Sequence, residues 1–209
     1  MIGQNDMDAN SQMKDLSVVA DFHGHLCAGL AFTYRIVRAA LRELEISDDP
    51  GKRLIAVVET ADACGIDTLQ IVAGCTMGRG NLNVHDYGKH AYTLIDKTTG
   101  KAVRIVRRKD WDIDKIDPIA ARLRGPVFAG TATADERSLF DLRMENAASV
   151  ILSMPEESLF TIHSFSTKVP KKTKVFAQVE CIRCSEMVAE NRTVHVNGQP
   201  YCIPCSRKL

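Results

Sequence analysis

The chain has 209 residues, 45% of them hydrophobic, and can bury one large core or a medium core beside a small module. Its 27 basic and 26 acidic residues leave a formal charge of +1, which excludes a general electrostatic attraction to nucleic acids or membrane surfaces. The polar, acidic start predicts no secretory signal, and no stretch approaches the roughly 18 consecutive apolar residues of a membrane span. We therefore expect a soluble, cytoplasmic protein.

The first third of the chain predicts a helix followed by a strand. Residues 1–15 are expected to form a loose lead-in. From Ala28 to Leu44 apolar residues recur at steps of three and four, which predicts an amphipathic helix. Its solvent side should carry Arg35, Arg38, Arg42 and Glu43. The turn sequence SDDPGK (47–52) ends the helix, and the β-branched run RLIAVVET (53–60) predicts a buried strand.

The middle of the chain mixes short helices and strands. A turn at Cys64-Gly65 leads into a short helix and then into a glycine-rich loop, residues 74–80. The sequence AYTLIDKTTGKAVRIVR (91–107) predicts a hairpin with its turn at residues 97–100. Residues 134–153 predict a long helix that stops before Pro155, and residues 158–165 a further strand. Because strands and helices do not alternate regularly, we predict an α+β fold.

A change of composition predicts where the chain divides. The segment STKVPKKTK (166–174) is basic, contains proline and is poor in large apolar residues, as is typical of a linker. We therefore expect a core domain over residues 1–168 and a small module over residues 176–209.

The module carries four of the seven cysteines, in the pattern Cys-x2-Cys-x17-Cys-x2-Cys: Cys181, Cys184, Cys202 and Cys205. Two intervening residues let both sulfurs of a pair reach one ion, and four thiolates complete a closed tetrahedral shell. We expect a structural zinc site, because so short a segment can hardly fold without metal. The alternative is two unconnected redox pairs. His195 precedes a hairpin turn at Asn197-Gly198 and could replace a cysteine, although four cysteines already suffice.

A second candidate site lies at the start of the predicted first helix. His23, His25 and Cys27 alternate along the chain, so a turning or extended backbone would place them on one side. Cys27 precedes a helix, where amides and the helix dipole stabilise a thiolate, and Cys64 also precedes one. We predict that His25, Cys27 and Cys64 converge on one metal, with water or substrate completing the shell.

Two further residues have alternative interpretations. His23 could orient a ligand or transfer a proton. Cys75 could approach the same pocket from the glycine-rich loop as a further ligand, but an isolated cysteine is more often a small buried hydrophobe.

Four features of the sequence match a known family: FHGHLCAGLA (22–31), DACGIDTLQIVAGCTMGRGNL (62–82), DYGKHAYTL (86–94) and the four C-terminal cysteines. In these features the chain resembles the FmdE-like proteins, a family named after a component of formylmethanofuran dehydrogenase. The resemblance implies an α+β core with a His/Cys pocket and an auxiliary treble-clef zinc finger. It places Asn81, Tyr87 and Lys89 in segments that line the pocket. Ala28 departs from the family, which usually has proline there.

Three functions fit these features. The first is a metal-dependent protein of redox or one-carbon metabolism, whose second metal is zinc or another transition metal. Its catalytic candidates are His23, His25, Cys27, Cys64 and Lys89. The second is an accessory or metal-delivery subunit of a molybdenum or tungsten enzyme. The expected partners are therefore a second copy of the chain or a larger oxidoreductase complex. The third, nucleic-acid binding by the zinc module, is disfavoured by the balanced charge.

Overall fold

The computed structural model describes residues 16–47, 50–169 and 176–209, so the predicted lead-in at 1–15 lies outside the described residues. The chain divides into two compact units, Met1–Pro170 and Lys171–Leu209. Part of the predicted linker, residues 170–174, is also outside the described residues. Within the described residues, no helix is long and apolar enough to cross a membrane.

The first unit is built on a five-stranded mixed sheet in the order β2-β1-β3-β4-β5. The strands are β1 Leu54–Val58, β2 Leu82–Val84, β3 Ala91–Asp96, β4 Lys101–Arg107 and β5 Phe160–Ser166. β1 and β2 are parallel, and the other neighbours are antiparallel. The predicted hairpin is confirmed as β3 and β4, and the predicted strands at 53–60 and 158–165 as β1 and β5.

Helices accompany the sheet. They are α1 (16–23), α2 Ala28–Glu43, α3 Pro50–Arg53, α4 Ala63–Ile71, α5 Ile113–Ile116, α6 Pro118–Phe128, α7 Ala134–Ser153 and α8 Glu156–Leu159. The predicted helices at 28–44 and 134–153 are confirmed as α2 and α7. A capping box of Thr133 and Glu136 starts α7, with each side chain bonded to the other residue's backbone N–H. Helices and a mixed sheet together confirm the α+β class.

The core forms where α2 packs against α4, α7 and the sheet. Leu30, Ile36 and Val37 are fully buried on α2, and each such side chain contributes about 1.5–3 kcal/mol by leaving water. Arg35 was expected on the solvent side, but this prediction is wrong: its side chain is only 16% exposed. Its Nη1 donates to the carbonyl oxygens of Ile151, Leu152 and Met154 at the end of α7. It thus satisfies carbonyls that a helix leaves unpaired at its C-terminus.

The second unit consists of two short hairpins and a final helical turn. Its elements are β6 Gln178–Glu180, β7 Met187–Ala189, a 3-10 helix Glu190–Arg192, β8 Thr193–Val196, β9 Gln199–Cys202 and α9 Ile203–Ser206. β6 pairs with β7 and β8 with β9, both antiparallel. Asn197 and Gly198 have φ angles of 51° and 77°, which a two-residue hairpin turn requires, so the turn predicted there is confirmed.

Candidate metal centres

The four cysteines of the second unit meet at one point. Cys181 and Cys184 lie in the turn between β6 and β7, Cys202 ends β9, and Cys205 lies in α9. Their sulfur atoms all lie within 4.8 Å of one another, and the Cys184 and Cys202 sulfurs are 3.9 Å apart. Tetrahedral bonds of about 2.3 Å to one metal place two sulfurs about 3.8 Å apart. The donor set therefore fits a single tetrahedral ion.

The backbone around this cluster favours thiolates. The Cys202 N–H donates to the Cys181 sulfur over 3.2 Å, and this bond lowers the pKa of Cys181. His195 is exposed on β8 opposite Pro200 and is outside the group of mutually close ligand atoms. The four cysteines therefore form the candidate site without it.

The histidines of the first unit are positioned by a sharp turn between two helices. His23 ends α1, and Gly24 has a φ of +94°, a conformation that favours glycine. The chain then passes His25 and reaches Cys27, the N-cap of α2, whose sulfur accepts a hydrogen bond from the Leu30 N–H. Ligand atoms of His23, His25 and Cys27 lie within 4.8 Å of one another.

Cys64 joins this cluster from the neighbouring helix. Its sulfur lies 3.7 Å from the Cys27 sulfur and 3.6 Å from His23 Nε2. Tetrahedral coordination by one zinc ion gives sulfur–sulfur and sulfur–nitrogen separations of about 3.8 and 3.5 Å. Cys64 was expected to precede a helix; it lies inside the first turn of α4, which Asp62 caps. Both sulfurs thus belong to the N-terminal ends of helices that pack together.

A carboxylate orients His23. Asp67 Oδ2 lies 2.8 Å from His23 Nδ1, which leaves Nε2 on the side of Cys64. Metal-binding histidines commonly use the second ring nitrogen in this way. Asp67 was missed by the sequence analysis, although its position three residues after Cys64 places both on one face of α4.

The two core thiols share one proton. The Cys64 thiol donates to Cys27, and this bond lowers the pKa of Cys27 although burial acts to raise it. The hydrogen bond to Cys27 and then burial raise the pKa of Cys64. A bound metal ion would take the place of that proton and hold both residues as thiolates.

Cys75 is placed elsewhere among the described residues. It follows α4 and lies at the end of that helix opposite to Cys64, on the order of 12 Å away along the helix axis. It is fully buried in the hydrophobic core, and its thiol donates to the Ala73 carbonyl at 3.6 Å. Burial raises its pKa to about 12. These are the features of an inert core cysteine.

The other residues implied by the resemblance have separate positions. Lys89 is exposed, and Tyr87 is 65% exposed and stacks on His85. Asn81 is buried and has a structural part: its Nδ2 donates to the carbonyl oxygens of Gly51 and Leu54, and its Oδ1 accepts from the Thr76 N–H. It fixes the end of the glycine-rich loop to the start of β1.

A cleft of about 460 Å³ adjoins the His/Cys cluster. Gly29 connects the two, because it lines the cleft and a Cβ atom at this position would lie 2.8 Å from the Cys64 sulfur. Asp62 lines the cleft as well, two residues before Cys64. A small molecule in the cleft would therefore lie beside the candidate metal centre.

Fold and clusters together define an α+β protein with two sets of cysteine and histidine side chains suited to metal ions. The family described as "FmdE, Molybdenum formylmethanofuran dehydrogenase operon" matches residues 22–161. The chain belongs to this FmdE family, as the sequence resemblance predicted.

Two relatives illustrate the similarity. A tungsten formylmethanofuran dehydrogenase FmdE-like protein from Syntrophus aciditrophicus, known from a crystal structure, shares the fold. It has a TM-score of 0.53 and 23% identity over 93% of this chain and 91% of its own. A "Probable S-adenosyl-L-methionine-binding protein" from Archaeoglobus fulgidus is 26% identical over 88% of this chain. The chain spans about half, 52%, of that relative's length.

Proposed function

We propose that this protein holds a zinc-type metal ion in its core and uses it in redox or one-carbon metabolism. The observation that carries the proposal is the convergence of Cys27, Cys64 and His23 at separations of 3.7 and 3.6 Å, which fit one tetrahedral ion. The second unit would hold a structural zinc ion through its four cysteines. Its order of a cysteine turn, a hairpin and a helix start supports a treble clef.

We assign different parts to the two histidines. His23 is 10% exposed and held by Asp67, so it would be a fixed ligand together with the two sulfurs. His25 is exposed, so it would be the ligand that exchanges with a substrate. Lys89 is left out of the proposed site, because it is exposed and does not line the adjoining cleft.

The chemistry follows from an exchangeable position. When bound, a zinc ion with three firm protein ligands would polarise or bind a substrate atom at its fourth position. The chain's own residues would hold the two thiolates at helix N-termini, orient His23 through Asp67 and shape the cleft. The name of the Archaeoglobus relative does not transfer to this chain by itself, since the chain spans about half of that protein.

A second candidate function is an accessory or metal-delivery subunit of a larger molybdenum or tungsten dehydrogenase. The description of the family, which refers to the operon of such an enzyme, favours it. In that case the exposed His25 would let the core metal pass to an acceptor. The metal should then transfer to a thiol-rich chelator within minutes, whereas a resident catalytic metal should stay bound. A homodimer remains part of this proposal and is tested by the mass in solution.

X-ray absorption of a zinc-loaded Cys202→Ser variant tests the core ligand set, because this variant should keep only the core metal. The proposal predicts about two sulfurs at 2.3 Å and two nitrogen or oxygen atoms at 2.0–2.1 Å. The same spectrum from a variant that also carries Cys75→Ser should be unchanged. A shell of four sulfurs, or loss of the metal from the core, would refute the assignment.

A further inference from the structure

The cleft beside Gly29 offers a flat apolar wall. Its volume of about 460 Å³ lies within the range of small-molecule sites. Phe32 and Trp111 line it, with ring centroids 4.6 Å apart and planes inclined by 36°. Phe128 also lines it and remains 79% exposed, which is unusual for so large an aromatic side chain. Such walls favour a planar, apolar group.

One positive charge in this lining has no carboxylate partner. Arg124 is paired, with its Nη1 2.6 Å from Asp114 Oδ1. Arg107 also lines the cleft, and within the described residues no carboxylate lies within 4.0 Å of it. Its guanidinium carbon lies 5.9 Å from the centre of the Trp111 ring. An anionic group on a ligand would therefore find an uncompensated cation next to the aromatic wall.

Two further groups in the lining can bond to a polar ligand. Burial and the nearby Arg107 lower the pKa of His90, so its ring is neutral at neutral pH and can donate or accept. Trp111 Nε1 is a buried donor that finds no acceptor in the described part of the chain. A buried donor left without an acceptor costs about 1–3 kcal/mol, and an oxygen atom of a ligand would relieve that cost.

We propose that this cleft binds a small molecule with a planar ring system and an anionic group. The ring packs against Phe32 and Trp111, and the anion pairs with Arg107. The opposite end of the molecule lies at Gly29, beside the Cys64 sulfur. The inference deepens the proposed function and rests on it only for the metal at Cys64.

The test is calorimetric titration of the full chain with three probes that share one ring: 2-naphthoate, 2-naphthyl phosphate and uncharged 2-naphthamide. At least one anion should bind about tenfold more tightly than the amide, the effect of a charge-assisted hydrogen bond. Arg107→Met should remove this preference. Arg108→Met is the matched control, because Arg108 pairs with Asp110 and does not line the cleft; it should keep the preference.

The fluorescence of Trp111, the only tryptophan in the chain, reports where the probe binds. Quenching by the anion in the wild type and in Arg108→Met, with about tenfold weaker quenching in Arg107→Met, supports the proposal. Equal affinity for anion and amide, or an anion preference that survives Arg107→Met, overturns it.

Metal content measured on the same samples separates this inference from the proposed function. Loss of the anion preference in protein that holds two metals per chain overturns the ligand class and leaves the core metal intact. An Arg107-dependent preference in protein that holds only the metal of the second unit supports the cleft and overturns the core metal site.

Discussion

Replacement of Gly29 by alanine should disable the core metal site while leaving the fold intact. Gly29 lies in the first turn of α2, where a Cβ atom would come within 2.8 Å of the Cys64 sulfur and 3.8 Å of the Cys27 sulfur. Ordinary contact begins near 3.5 Å, so the Cys64 sulfur must move by about 0.6 Å or rotate away. Its side chain is short enough to do so without displacing the backbone of α4.

The two consequences have opposite signs. Alanine is favoured over glycine within a helix by about 1 kcal/mol, so the free energy of unfolding without metal should change by no more than about 1 kcal/mol. Metal sites tolerate errors of about 0.2 Å in ligand position, and a sulfur displaced by more than that should lower metal affinity about 10- to 100-fold.

The assay counts zinc bound per chain while the free zinc concentration is buffered over a series of values. Gly125→Ala is the matched control, because it lies in helix α6 and a Cβ atom there meets nothing within 4 Å. Gly29→Ala should lose the core zinc at free concentrations where Gly125→Ala retains it. Wild-type affinity in a folded Gly29→Ala variant would refute the geometry assigned to the cluster.

Three further predictions concern the two units. Cys202→Ser should release one zinc ion and unfold the second unit, measured by metal content and by NMR, because thiolate binding supplies most of its folding energy. Deletion of residues 176–209 should leave a core that unfolds cooperatively in urea and retains one metal; a gradual transition would show that the units fold together. Burial opposes ionisation of Asp96, but bonds from Arg53 and two threonines lower its pKa from 3.8 to about 2. This depressed pKa contributes about 2 kcal/mol that is present above pH 4 and lost as the pH falls towards 2, so Asp96→Asn should be less stable at pH 5 and nearly equal to the wild type at pH 2.

The elements with a strong pattern were predictable from sequence. α2, α7 and the β3–β4 hairpin combine apolar periodicity with a clear turn or cap, and they were located to within a residue or two. α6 was missed because Gly125 and Pro126 lie inside it and argue locally against a helix. β2 was missed because a strand of three residues is too short to show a period. The contacts of Arg35 were unpredictable, because they depend on where α7 ends in space.

The site was predictable only in part, for a similar reason. Ligand chemistry and helix N-termini singled out His23, His25, Cys27 and Cys64 from the sequence, and the structure brings Cys27, Cys64 and His23 together. Spacing alone could not rank His23 against His25, since their difference comes from Asp67 on a separate helix. Cys75 looked similar to Cys64 in sequence, but the length of α4 separates them.

The most direct test of the account is the number of metal ions per chain in wild-type protein and in the double variant Cys27→Ser/Cys64→Ser. Both are measured by elemental analysis after dialysis, with Cys75→Ser as the control. The account predicts two metal ions in the wild type and in Cys75→Ser, and one in the folded double variant. A single ion in the wild type, or two ions in the folded double variant, would contradict a metal centre in the core.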